Sequence, residues 1–246
     1  CIMNWNILVN GSSGKMGQAV INAVSNESDM SLVGQTSIED NFRQECERTR
    51  PDVVVDFTHP SCIRENIDTL LDLGIHGVIG TTGLSDEDLK QISEQSAKKG
   101  ISIFVCPNFA IGAIMMMKAA ADVAKHMDQV EIIEYHHNQK ADAPSGTAIK
   151  TAQVIAESNP HINPVTLDEK ELIPGARGGK KDNIPIHSVR LQGYIAHQEV
   201  IFGGLGQTLS IRHDTISRES FMPGVIIAVR KTGQVKGLVY GLENLL

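Results

Sequence analysis

The chain of 246 residues lacks most of the features that would make it anything other than a globular protein. Its four cysteines, Cys1, Cys46, Cys62 and Cys106, form no C-x-x-C pair and no metal-ligand spacing, so they read as buried or incidental thiols of a reducing cytoplasm. No apolar stretch approaches the roughly 20 residues that span a bilayer, and no basic start leads into a cleavable apolar segment. Cytoplasmic residence with no membrane partner is the resulting expectation. Lysine and arginine form no run that could track a phosphate backbone, and the formal net charge is −7, so nucleic acid is not an expected partner. In that acidic background an anionic ligand needs a local positive site, which makes clustered Lys and His informative. There is also no internal repeat and no low-complexity tract.

What is present is an alternation of strand and helix patterns. A short apolar run at 6–10 leads directly into Gly11-Ser12-Ser13-Gly14-Lys15-Met16-Gly17. A helix follows, with Met16, Ala19, Val20, Ala23 and Val24 on one face of a 3.6-residue period. Residues 30–35 read as a second strand. The solid run Val53-Val54-Val55 is a third, followed by a helix that Gly74 stops. Strands at 77–79 and 101–105 continue the series, with a Ser85-capped helix between them. Continuous apolar strands joined by amphipathic helices predict a parallel sheet covered on both faces over about the first 107 residues.

The texture then changes. A long apolar helix is expected at 111–127, its Met115-Met116-Met117 run being core packing, and a strand at 130–135 and a helix at 147–157 follow. Residues 159–183 read as a long loop. Three period-two segments at 184–191, 197–202 and 207–212 predict an antiparallel sheet, and a last helix at 217–231 contains Pro223. The fold class is therefore α/β: a doubly wound, Rossmann-type nucleotide domain plus an α+β domain with a mostly antiparallel sheet.

The glycine triplet between strand and helix is the context in which a dinucleotide's pyrophosphate binds: glycines permit close backbone approach, and the helix start supplies N–H groups. Gly80-Thr81-Thr82-Gly83 and Pro107-Asn108-Phe109-Ala110 end the next parallel strands, where such folds place ligands. The most specific segment is Glu134-Tyr135-His136-His137-Asn138-Gln139-Lys140-Ala141-Asp142-Ala143-Pro144-Ser145-Gly146-Thr147-Ala148. Two histidines and a lysine supply exchangeable protons and positive charge, and Ser145-Gly146-Thr147 opens a helix as a carboxylate cradle. Either histidine alone could be an ordinary buried residue, since neighbours on a strand face opposite ways. No third ligand follows at zinc spacing, so no metal is expected.

The run E-x-H-H-x-x-K-x-D-A-P-S-G-T-A, with G-x-x-G-K-M-G, G-T-T-G and P-N-F in the same order, resembles the dihydrodipicolinate reductases, and the similarity extends over essentially the whole chain. The resemblance implies an NADH- or NADPH-dependent reduction of a small cyclic dicarboxylate in diaminopimelate and lysine synthesis. It implies His136 as the proton donor or acceptor, Lys140 as a second proton donor and substrate contact, and His137, Gly146 and Thr147, with Ser145 beside them, as substrate-binding. Gly11, Ser12, Ser13, Gly14, Lys15, Met16 and Gly17, Gly80, Thr81 and Thr82, and Pro107, Asn108, Phe109 and Ala110 match the cofactor segments. It further implies a homotetramer built through the second domain, and a nucleotide domain of residues 3–107 and 214–246 around a substrate and oligomerisation domain of residues 108–213.

Two rivals remain at this level. A small-substrate dehydrogenase of the semialdehyde type would want a cysteine nucleophile in its second domain, yet all four cysteines precede residue 107. A nucleotide-sensing module without turnover would not need both His136 and Lys140. On cofactor choice, the second strand ends in Gln35-Thr36-Ser37 with no acid at its tip and no arginine expected to clamp a 2′-phosphate, while Lys15 offers a point charge. Use of both cofactors with a mild lean to NADPH is the expectation.

Overall fold

The computed structural model describes residues 4–165, 167–168 and 170–246. Met3, where the nucleotide domain is expected to begin, lies outside the described residues, as do Cys1 and, in the long loop, Thr166 and Glu169. The chain divides into two compact units, residues 1–111 with 218–246, and residues 112–217.

The first unit is a six-stranded parallel sheet. Strands β1 (Trp5–Asn10), β2 (Met30–Thr36), β3 (Val53–Asp56), β4 (His76–Ile79) and β5 (Ser102–Val105) are joined through helices α1 (Lys15–Ser25), α2 (Phe42–Thr49), α3 (Ile63–Leu73) and α4 (Asp86–Lys99). A C-terminal strand, here β11 (Gly237–Tyr240), returns to pair with β5, giving the order β11-β5-β4-β3-β1-β2. Ile7, Leu8, Val9, Val53, Val54 and Val55 are fully buried because both faces of the sheet are covered, and each such side chain contributes about 1.5–3 kcal/mol of burial. Gly74 stops α3 in a left-handed conformation, and Ser85 and Asp88 form a capping box on α4. The order reverses at β1, which lies between β2 and β3, so the carboxyl ends of β1 and β3 flank the crevice where doubly wound sheets bind ligands.

Helix α2 is absent from the sequence expectation. It buries only Cys46, so it shows no apolar period, and it is held instead by Asn41, whose side chain accepts from the Gln44 amide, and by the Arg48–Glu45 pair. The last helix is also shorter than expected. A 3-10 turn occupies Arg218–Phe221, and α7 is Met222–Lys231 with Pro223 in its first turn, where a missing N–H costs nothing.

The second unit packs α5 (Ile111–Ala124) and α6 (Gly146–Ser158) with a five-stranded sheet of β6 (Gln129–His136), β7 (Gly179–Lys181), β8 (Ile184–Arg190), β9 (Ala196–Gly204) and β10 (Gln207–Thr215). Its order is β10-β9-β6-β8-β7. Three pairings are antiparallel, but β8 does not join β9: it lies parallel to β6. The reason is the connection, since α6 and the loop after it form the crossover that parallel neighbours require. The expected long loop also contains the short strand β7. Val130, Ile132, Ala148, Ala152, Ile155 and Phe202 form the core. Of the methionine run, Met116 is buried in that core, Met117 packs against it, and Met115 is exposed.

Candidate functional site

In the nucleotide unit, the turn from β1 into α1 is built by close backbone contact. Gly11 has φ +87°, and a Cβ on Gly17 would lie 2.1 Å from the Gly11 carbonyl oxygen, so the helix start can sit against the loop only without a side chain there. Gly14 caps α1 with no side-chain hydrogen bond, and the first turn carries no acid, which leaves the positive helix end to an anion. A cavity of about 700 Å³ opens beside it, lined by Asn10, Gly11, Ser13 and Gly14 from the β1 end and by Phe57 and Thr58 from the β3 end. These residues fit a dinucleotide's pyrophosphate.

A buried carboxylate organises this end of the sheet. Asp56, with no exposed surface, accepts from Asn10 and Asn66 Nδ2 at 2.9 Å on one oxygen. Its other oxygen accepts from the Thr58 amide at 3.0 Å, the Thr58 hydroxyl at 2.7 Å and the Thr81 hydroxyl at 3.0 Å. Burial pushes its pKa up, opposed by the bonds from Thr58, Thr81 and Asn10. Thr36 in turn donates to Asn10 Oδ1. One group therefore ties together the ends of β1, β2, β3 and β4. Of the expected cofactor residues, Thr81 belongs to this network and a Cβ on Gly80 would strike the Phe57 ring, whereas Thr82 and Pro107 are exposed. Phe109 is buried with its ring 5.7 Å from that of Phe57, and Asn108 accepts from the Ala110 amide. Ser12 is buried, its amide donating to Thr36.

The ribose end departs from expectation. Asp40 and Arg43 both line the cavity. The Asp40 carboxylate folds back to accept from the Ser37 amide and hydroxyl at 2.7 and 2.8 Å, so an acid does reach the end of the second strand through a turn. Arg43, at the start of the unanticipated α2, brings the arginine that sequence reasoning found missing, its guanidinium paired with Asp72 at 2.6 Å. Lys15 is exposed in the first turn of α1 and, with Met16 and Gly17, is not among the cavity's lining residues.

In the second unit, Glu134 and His136 lie two apart on β6 and so share a face. Glu134 is fully buried, and its Oε2 meets His136 Nδ1 at 2.5 Å. Arg190, the neighbour of His136 across the β6–β8 pairing, donates to both carboxylate oxygens at 2.8 Å. Burial pushes the Glu134 pKa up, but hydrogen bonds from His136, Arg190 and Ser188 outweigh it and pull the value to about 2. Arg190 also donates to the Asp142 carbonyl oxygen at 2.8 Å. The Asp142 carboxylate receives Lys140 Nζ at 2.7 and 2.8 Å, and that bond holds the Asp142 carboxyl below its usual range.

Ser145 caps α6. Its hydroxyl accepts from the Ala148 amide at 3.2 Å and its own amide donates to Glu134 at 3.3 Å. The hydroxyl keeps its proton to donate. A Cβ on Gly146 would meet nothing within 4 Å, and no acid occupies the first turn of α6. His137 is exposed, its carbonyl accepting from the Lys140 amide. His136, Lys140 and the helix start are thus connected through Glu134 and Arg190. Sequence reasoning gave neither of these a role.

Two of the thiols are unsuited to nucleophilic chemistry. Cys46 and Cys106 are buried, and burial pushes both thiols up to about 12. Among the described residues no group of three His, Cys, Asp or Glu could hold a metal ion, and no helix is long and apolar enough to cross a membrane.

Comparison with known proteins agrees over nearly the whole chain. The family model described as dihydrodipicolinate reductase, N-terminus, matches residues 5–109, and that described as dihydrodipicolinate reductase, C-terminus, matches residues 112–246. The 4-hydroxy-tetrahydrodipicolinate reductase of Gloeothece citriformis is 46% identical, covering 98% of this chain and 97% of the relative. That of Desulfitobacterium hafniense is 45% identical, covering 98% of each. The dipicolinate-bound dihydrodipicolinate reductase of Paenisporosarcina sp. TG-14 superposes with a TM-score of 0.92 at 43% identity, over 99% of this chain and 100% of that one. An amine dehydrogenase from Mycobacterium smegmatis, at 10% identity and TM-score 0.67 over 98% and 95%, shares the fold alone. The chain belongs to the dihydrodipicolinate reductase family.

Proposed function

We propose that this chain reduces 4-hydroxy-tetrahydrodipicolinate (dihydrodipicolinate) to tetrahydrodipicolinate with NADH or NADPH, in the diaminopimelate route to lysine. The observation that carries the reading is the linkage of His136, Lys140 and the α6 start through one buried Glu134–Arg190 pair. The names of the relatives support the substrate.

Bound NADH or NADPH supplies a hydride to an electron-poor ring carbon. Gly11, Ser12, Ser13, Gly14, Lys15, Met16 and Gly17 would form the turn that holds the pyrophosphate, and Gly80, Thr81, Thr82 and the 107–110 segment would border the rest of the dinucleotide. His136 delivers the proton that neutralises the negative charge developing on the substrate, a task suited to imidazole chemistry near neutral pH. Lys140 neutralises a substrate carboxylate and stabilises developing charge, exchanging Asp142 for the substrate as it does so. The Ser145 hydroxyl, the Gly146 and Thr147 amides at the positive end of α6, and His137 hold the carboxylate. Asp40 repels and Arg43 attracts a 2′-phosphate, which suits use of both cofactors.

The protein works in the cytoplasm as a homotetramer built through the second unit's sheet, a reading supported by exposed Leu209 on the edge strand β10. Light scattering tests the assembly. Steady-state oxidation of NADH and NADPH with freshly formed dihydrodipicolinate tests the function: turnover is expected with both, and none with either rejects it.

A further inference from the structure

We propose that Glu134 is a positioning residue of the proton-transfer step: it holds the His136 imidazole as the Nδ1–H tautomer, so that Nε2 is the nitrogen that exchanges a proton with substrate. This rests on the assignment of His136 given above.

The argument begins with what a carboxylate can do. Ionised, it only accepts hydrogen bonds. Glu134 is ionised, since its two oxygens receive the Arg190 guanidinium as a two-pronged pair and the Ser145 amide as well. The 2.5 Å contact between Oε2 and His136 Nδ1 therefore requires the proton to sit on Nδ1. A neutral imidazole has one proton to place, so its acceptor lone pair is fixed on Nε2.

The consequence for the reaction is a balanced step. The imidazolium gives up its Nε2 proton to the electron pair developing on the substrate. The N–H electrons remain on Nε2, and the ring left behind is already the Nδ1–H tautomer that Glu134 selects. Solvent returns the proton to Nε2 before the next turnover. With no acceptor beside Nδ1 the neutral ring divides between two tautomers, and nothing holds the Nδ1–H of the imidazolium or fixes the ring with Nε2 turned outward.

Arg190 makes this arrangement sustainable. A lone buried carboxylate costs several kcal/mol, and a guanidinium paired through both prongs offsets that cost. The same arginine donates to the Asp142 carbonyl, and the Ser145 amide binds Glu134, so the proton-transfer group shares its anchor with the Lys140 turn and the α6 start.

The test compares two double variants, E134L/R190M and E134Q/R190M, neither of which leaves a buried charge unpaired. Leucine removes the acceptor, whereas the glutamine amide oxygen can still accept from Nδ1–H. The nitrogen-15 spectrum of the neutral His136 ring, assigned with H136Q, is expected to show Nδ1–H in wild type and E134Q/R190M and a tautomer mixture in E134L/R190M. The kcat of E134Q/R190M is expected to exceed that of E134L/R190M by at least about tenfold, a part of the 10²–10⁴ that acid-base catalysis contributes, with KM the same in both. Equal kcat values in the two variants, or an Nδ1–H ring persisting beside leucine, overturn the inference. Wild-type turnover in H136Q overturns instead the reading on which it rests, and the tautomer spectra still report on Glu134.

Discussion

The Glu134 carboxylate should make the second unit acid-sensitive by a calculable amount. Its pKa is about 2 in the folded chain against an ordinary 4.5, which corresponds to about 3 kcal/mol of linkage. The sign follows from the direction of the shift. A carboxyl depressed on folding binds more protons when unfolded, so its contribution is fully present above about pH 4.5 and is lost as pH falls toward 2. Between pH 7 and pH 3 the loss is about 2 kcal/mol, because the unfolded group is then almost fully protonated and the folded one is not. Other carboxylates held low by partners add their own slopes, so the informative quantity is a difference. Urea unfolding of wild type and E134Q/R190M, followed through the near-ultraviolet dichroism of Tyr135 and Tyr194, should give curves of stability against pH that converge by about 2 kcal/mol on acidification. Parallel stability curves would refute the claim that a charged Glu134 is held by its partners.

Three further outcomes follow from the two sites. K140A and H136Q should each lose at least about tenfold in turnover; K140A should keep the wild-type melting temperature, since its side chain pairs only with exposed Asp142, whereas H136Q should lower it, since it removes one of the bonds that hold buried Glu134; wild-type turnover in either rejects its role. T147V should raise KM for the dicarboxylate more than it changes the dissociation constant of NADPH, measured by calorimetry, and the opposite pattern would exchange the two sites. R43A should weaken NADPH relative to NADH, and D40N should strengthen it, each by about threefold, the scale of a solvent-exposed charge contact of roughly 0.5–1 kcal/mol; no change in the NADPH to NADH ratio for either variant removes them from cofactor selection.

What could be read from the chain alone was whatever rests on local pattern. The parallel strands were legible because a strand buried on both faces is a run such as Val53-Val54-Val55, and α4 because Ser85 and Asp88 make its cap within four residues. Helix α2 was not legible, since a helix with one buried residue carries no period to detect, and with it went Arg43 and the turn that returns Asp40 to the strand end. The parallel placement of β8 beside β6 escaped for a related reason. Period-two patterning says which face of a strand is buried but nothing about which strand lies next to it.

That last point explains why the chemistry-bearing residues divide as they do. His136, Lys140 and Ser145 are close in sequence, so their grouping survives without a structure. Glu134 sits in the same run but reads there as one more carboxylate on a strand. Its meaning depends on Arg190, 56 residues further along, which arrives only because α6 and the following loop carry the chain back to lay β8 parallel to β6. Had β8 paired antiparallel with β9 alone, as the hairpin-like spacing predicts, nothing would bring a guanidinium to the buried carboxylate. Glu134 would then have to be neutral, and a neutral acid could donate to His136 as readily as accept from it. The sheet order therefore reaches the proton itself: one crossover puts Arg190 against Glu134, the pair keeps Glu134 charged, and the charge decides which nitrogen of the neutral His136 ring carries the proton.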